Sequence, residues 1–187
     1  MQLTEKQQEL HIVQGLRQHD KTAMRDFYAL YAGRLTAVCS RYIASDADMK
    51  DVLQEALIKI FTNADSFEYR ATGSLLAWGK RIVVNEALSF LRKSKTVPLL
   101  FDENLPEVAD EDNTPVDDVP PKLLQEMIRE LPDGYRTVFN LYVFEDKSHQ
   151  EIGKILGIKE SSSASQLNRA KTVLKKKIIE YKKGGRI

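Results

Sequence analysis

Between Pro98 and Val119 the chain reads PLLFDENLPEVADEDNTPVDDV, with eight carboxylates and no Lys or Arg. Its prolines and closely spaced acids leave no helical apolar period, and like charges this dense oppose compaction. A segment of this kind joins packed units rather than belonging to one. It predicts a domain over residues 1–97, an acidic flexible linker over 98–119, and a second domain over 120–187.

The charge divides along the same lines. Residues 1–97 carry 14 Lys and Arg against 11 Asp and Glu, and residues 120–187 carry 14 against 8, so the net charge of +1 conceals two basic lobes flanking an acidic strap. At 187 residues with 42% apolar content, the chain can bury two small cores. The single cysteine, Cys39, excludes an internal disulfide, and the opening MQLTEKQQEL has neither the basic start nor the apolar centre of a signal peptide. No apolar run approaches the roughly 20 residues that span a bilayer. The expectation is a cytoplasmic protein with no stable membrane insertion of its own.

Both lobes read as all-α, because apolar residues recur at three and four and no stretch alternates as a half-buried strand does. In the first lobe, Ala23, Phe27, Leu30, Leu35, Val38 and Tyr42 mark one helix, and Val52, Leu53, Ala56, Leu57, Ile60 and Phe61 the next, with Ser45 and Asp48 at its start. A third spans about Gly73 to Lys93 with Leu75, Trp78, Ile82, Leu88 and Leu91 facing inward, and a shorter helix near residues 5–18 precedes them. In the second lobe Pro121 suits a helix start, Leu124, Met127, Ile128 and Leu131 share a face, and Pro132 ends the run. Asp133 opens another helix, with Val138, Phe139 and Tyr142.

The next segment, SHQEIGKILGIKESSSASQLNRAK, carries the functional signal. Ser148 and Glu151 have capping-box spacing, Ile152, Ile155 and Leu156 point inward, and Gly157 is placed for a left-handed helix end. A short capped helix, a tight turn and a second helix with Leu167, Ala170 and Leu174 inside make a helix-turn-helix, whose second helix enters the DNA major groove. Serines at its start can cap backbone N–H groups, meet phosphates and base edges, and permit close approach. Ser162, Ser163 and Ser165 are the candidate contacts, Gln166 a base-edge reader, and Arg169 and Lys171 phosphate or guanine ligands, with Lys175, Lys176 and Lys177 extending the positive surface. The alternative is a serine-capped surface helix with a solvated basic end.

Catalytic chemistry is not indicated. His11, His19 and His149 are scattered, Cys39 lies on an apolar face without a base beside it, and there is no glycine-rich phosphate loop. The sequence therefore gives no catalytic residue, no metal ligand and no cofactor, and the chain reads as a non-enzyme.

The stretch LPDGYRTVFNLYVFEDKSHQEIGKILGIKESSSASQLNRAK resembles the promoter-binding helix-turn-helix domain of bacterial RNA polymerase sigma factors, in the extracytoplasmic-function (ECF) group of the sigma-70 family. The carriers are its LP, R-x-V-F-x-L, E-I-G-x-x-L-G-I and S-x-L-x-R-A elements. In the first lobe, FYALYAGRLTAVCSRYI, DMKDVLQEALIKIF and GSLLAWGKRIVVNEALSFLRK resemble the domain that docks on polymerase and melts the promoter. Ser161, Ser163, Ala164 and Gln166 depart from the residues common in the family and bear on which promoter is read.

The resemblance implies roles within the first lobe. Asp51, Gln54 and Glu55, with Ile58 at the edge, lie opposite the apolar face of their helix. In the family the matching surface grips a coiled coil on the largest subunit of core RNA polymerase; by itself the face reads rather as an ordinary solvated one. The joint NADSFEYRATGS offers Phe67, Tyr69 and Arg70, and the following helix Lys80, Arg81, Asn85 and Arg92. Opening DNA without ATP requires binding energy that favours unstacked strands, from aromatic pockets beside cations. In the family the matching loop holds a base flipped from the minus-ten element, although Phe67 or Tyr69 could instead plug the core.

The partners implied are core RNA polymerase, promoter DNA and an anti-sigma factor, often membrane-bound. The matching linker of the family threads toward the active-site cleft and RNA exit path, where an acidic strap could be more than a spacer. Two other classes stay open: a helix-turn-helix regulator acting without polymerase docking, and a helical nucleic-acid hydrolase, which would need a metal site.

Overall fold

The computed structural model describes residues 4–94 and 119–184. The acidic strap assigned to 98–119 lies outside the described residues except for Val119, which is buried. The described residues form eight α-helices and one short 3-10 turn, without strands. They fall into two compact units, Met1–Phe90 and Leu91–Ile187.

The first unit begins with α1 (Glu5–Arg17), where Thr4 and Gln7 make a reciprocal capping box. α2 (Lys21–Tyr42) starts at Asp20, whose carboxylate accepts the N–H groups of Thr22 and Ala23, and α3 (Asp46–Thr62) starts at Ser45, whose hydroxyl accepts that of Asp48. A 3-10 turn, Ala64–Ser66, and an irregular loop lead into α4 (Ser74–Lys93). The turn between α1 and α2 is tight because residue 15 is glycine. A Cβ there would lie 2.4 Å from the Cβ of Ala23.

The core of this unit follows a stricter four-residue stride than the apolar pattern suggests. On α2 the inward stripe runs through Phe27, Tyr31 and Leu35, all buried, while Leu30 is 39% exposed. Tyr31 displaces Leu30 because four residues from Phe27 returns to the same face more closely than three does here. On α4 the buried line within this unit is Leu75, Gly79, Val83 and Ala87, widened by Val84 and by Leu88, which lies inside as expected. Trp78 and Ile82, expected inside, are only half-buried, because they stand one position before that line. Phe27 anchors the centre, edge-on to Tyr31 at 5.1 Å and to Phe61 at 5.7 Å.

The second unit holds α5 (Pro121–Arg129), α6 (Asp133–Val143), α7 (His149–Leu156) and α8 (Glu160–Lys182). α8 packs against the other three, and Met127, Ile128 and Leu131 meet Ala170, Leu174 and Ile178 in the core. α5 ends before Pro132, which instead stands at the N-cap of α6. The corner between them is stapled by Arg136. Its guanidinium is 3% exposed, donates to the carbonyls of Arg129 and Leu131 at 2.8 and 2.9 Å, and pairs with Asp133. Two carbonyls and a carboxylate thus face the guanidinium, as burial of such a charge requires.

Candidate nucleic-acid and polymerase interfaces

α7 and α8 form the helix-turn-helix. Ser148 and Glu151 close a capping box at the start of α7, and Gly157 ends it with φ 71°. The chain doubles back so closely that a Cβ on Gly153 would lie 2.8 Å from the carbonyl oxygen of Ile158. That contact fixes the turn, as does the Ile158 N–H, which donates to the Gly153 carbonyl at 3.0 Å.

The serines do not cap α8. Its N-cap is Lys159, with no side-chain capping bond, so Ser161 to Ser165 occupy the first turns of the helix itself. Helical geometry then sorts them. Ser161 is exposed, Ser162, Ser165 and Arg169 are half-exposed, and Lys171 is exposed. Ser163 and Gln166 are not available to DNA: they are 0% and 2% exposed, on the stripe that continues through Leu167, Ala170 and Leu174 into the core. The Ser163 hydroxyl lies 3.0 Å from His149 Nδ1 of α7. The reading of Ser163 as a DNA contact and of Gln166 as a base reader is therefore corrected, since both polar side chains pack inside the domain. Asn168, passed over in the sequence, is half-exposed and stands seven residues after Ser161 and three after Ser165, on their face.

On α3, Asp51, Gln54, Glu55 and Ile58 are all exposed and follow one another at helical spacing, while Val52, Ala56 and Ile60 are buried opposite. Ile58 is 47% exposed, an apolar residue set beside carboxylates. The Lys59 ammonium bonds Glu86 of α4 at 2.6 Å along the flank of this stripe.

The loop after the 3-10 turn separates its two aromatics. Phe67 is 5% exposed, its ring 5.1 Å from that of Trp78, so the core-plug alternative holds and Phe67 does not display its ring. Tyr69 is half-buried, with a buried hydroxyl that has no hydrogen-bond partner, and Arg70 is exposed. On α4, Arg81, Asn85 and Arg92 are exposed on one face. Lys80 is half-buried and lies about a third of a turn away from them.

Cys39 lies in the interior of the first unit. It is fully buried, donates weakly to the Met49 carbonyl at 3.7 Å, and burial pushes its thiol up to about 11. Among the described residues no cluster of His, Cys, Asp and Glu could hold a metal ion, and no helix is long and apolar enough to cross a membrane.

Residues 27–97 match the family described as Sigma-70 region 2, and residues 122–174 match Sigma-70, region 4. The chain belongs to the sigma-70 family. Curated relatives extend the likeness over most of its length. It is 27% identical to the ECF RNA polymerase sigma factor SigW of Bacillus subtilis (strain 168), covering 89% of this chain and 94% of that protein. It is 26% identical to the ECF RNA polymerase sigma-E factor of Escherichia coli (strain K12), over 89% and 92% of the two chains. The sigma-E factor of Haemophilus influenzae is 25% identical, over 89% and 93%. The chain is thus an RNA polymerase sigma factor, similar over most of its length to proteins named as ECF sigma factors, with most of α2 and all of α3 and α4 in the region 2 match and most of α5 to α8 in the region 4 match.

Proposed function

We propose that the sigma factor divides its task between its units, with residues 1–97 docking on core RNA polymerase and opening the promoter, and residues 120–187 reading the upstream, minus-thirty-five element as duplex. Residues 98–119 join them. The observation that supports this division most directly is that the region 4 match falls within one compact unit and the region 2 match falls on the other for all but its last residues, 91–97.

Core docking is assigned to Asp51, Gln54, Glu55 and Ile58. A carboxylate-rich stripe with one exposed isoleucine suits a basic partner helix that also offers an apolar contact. Minus-ten contacts are assigned to Tyr69 and Arg70 of the loop and to Arg81, Asn85 and Arg92 of α4, with Lys80 at the margin. Tyr69 offers the ring face on which an unstacked base can rest, and the cations offer phosphate contacts. Upstream recognition falls to Ser162, Ser165, Arg169 and Lys171, joined by Ser161 and Asn168, whose short polar side chains let the backbone approach base edges.

Such a factor changes where polymerase starts and carries out no bond chemistry itself. It works in the cytoplasm with core polymerase, and an anti-sigma protein is the expected control. Transcription of genomic DNA by purified core polymerase, with and without this protein, tests the reading. New start sites that share an upstream and a minus-ten motif are expected. Tight duplex binding by the protein alone with no new start sites would identify a helix-turn-helix regulator instead.

A further inference from the structure

Helix α1 holds a loop that is distant from it in sequence. The carboxylate of Glu9, 2% exposed, accepts the N–H of Gly73 on Oε2 at 2.8 Å and the N–H of Leu75 on Oε1 at 2.9 Å. Farther along the same helix, Arg17 Nη2 donates to the carbonyl of Phe67 at 2.6 Å. Residues 68–72 therefore enter and leave through points held by α1. Between those points Glu68, Arg70, Ala71 and Thr72 are exposed and Tyr69 is half-buried.

The need for this clasp follows from the local sequence. Gly73 adopts φ 89°, which other residues rarely do, and having no side chain it cannot cap α4. A carboxylate from another helix takes the place of the missing cap. It satisfies two amide donors and sits at the positive end of the α4 dipole. The dependence is mutual, because a carboxylate this buried is favourable only while those donors face it. Ile12, Val13 and Leu16 seat α1 in the core, so the clasp is carried by a rigid element.

We propose that Glu9 and Arg17 are positioning residues for promoter opening: they hold residues 68–72 in the shape that receives an unstacked minus-ten base, so selection of that base depends on α1. The inference rests on the assignment of this loop to the melted strand. A loop fixed before binding loses little freedom when it takes a base, and its shape can then discriminate among bases.

The test uses holoenzyme made with wild-type protein, Arg17→Ala, Arg17→Lys, Glu9→Gln and the loop double variant Tyr69→Ala/Arg70→Ala. The probes are a single-stranded oligonucleotide carrying the non-template minus-ten segment of a promoter mapped in the transcription assay, and its scrambled counterpart. Arg17→Ala and Glu9→Gln are each expected to lower the matched-to-scrambled affinity ratio by about fivefold to tenfold, the size of a lost base contact. Core affinity should stay unchanged. Arg17→Lys, which can still donate, should recover part of the ratio, and the emission of Trp78, the single tryptophan, should shift in the Arg17→Ala protein as its contact with Phe67 loosens. An unchanged ratio for Arg17→Ala, when the loop double variant loses it, overturns the inference and leaves the loop assignment standing. An unchanged ratio for the double variant overturns the loop assignment and this inference with it. Arg17 is exposed, so its variants carry the test even if Glu9→Gln does not fold.

Discussion

His149 Nδ1 lies 3.0 Å from the hydroxyl of Ser163, joining the first turn of α7 to the first turns of α8. The same ring stacks on Tyr142 at 4.8 Å, so the histidine ties α6, α7 and α8 together. Ser163→Ala should therefore act on stability, at about 1 kcal/mol for one hydrogen bond. Denaturant unfolding should show the loss, while the order of preference among promoter variants stays the same.

Gln166→Ala should behave like Ser163→Ala, weakening binding to every promoter alike through the fold. Asn168→Ala and Ser165→Ala should instead change preference at one or two base pairs, by about 1–3 kcal/mol where a paired base contact is lost. Arg169→Ala should weaken all sites and flatten the salt dependence of binding. Affinities measured on a set of single-base upstream variants distinguish the three patterns. Altered base preference for Gln166→Ala would contradict its burial.

Replacing Asp51 and Glu55 by lysine should reduce affinity for core polymerase by about tenfold or more, with helical content intact. Both side chains are exposed and take no part in the core of the unit. Truncation to alanine should reduce affinity less than charge reversal. Co-purification of the folded double lysine variant with core at wild-type levels would remove this face from the docking surface.

Gly153→Ala should destabilise the second unit by about 1–3 kcal/mol, as overpacking does, because the obstacle is a backbone carbonyl that cannot rotate away. Thermal unfolding should show a lowered midpoint, and upstream binding should fall with it.

Hydrogen bonds from the backbone and side chain of Ser148 hold the Glu151 carboxyl below its ordinary value. A lowered folded-state value means that the stabilisation is present above the ordinary carboxylate range and is lost as pH falls through the folded-state value. Glu151→Gln should remove that part of the acid dependence. Unfolding midpoints compared for wild type and variant between neutral and acid pH check the sign.

Local signals carried much of this architecture. The capping box at Ser148 and Glu151, the left-handed Gly157 and the helix-turn-helix spacing were legible because each depends on a few neighbouring residues. What the sequence could not settle was which of two adjacent positions faces the core. Leu30 and Tyr31, or Trp78 and Gly79, differ by one position and trade places without disturbing the apolar period. Polar residues concealed more. Ser163 and Gln166 carry the chemistry of a DNA-facing surface but lie on the packed stripe, and nothing local to Glu9 announces that its acceptors are needed by Gly73 and Leu75.

That borrowed cap bears on where the first domain can be cut. The region 2 match begins at residue 27, beyond the end of α1. A fragment trimmed to that boundary would keep α3, α4 and all of α2 but residues 21–26 and its Asp20 cap, yet leave the amides of Gly73 and Leu75 without their acceptor and the carbonyl of Phe67 without Arg17. The unit that must be inherited, expressed or grafted as one piece is thus longer than the stretch by which its kinship is detected, and a chimera joined at residue 27 would carry a loop shaped by its donor helix.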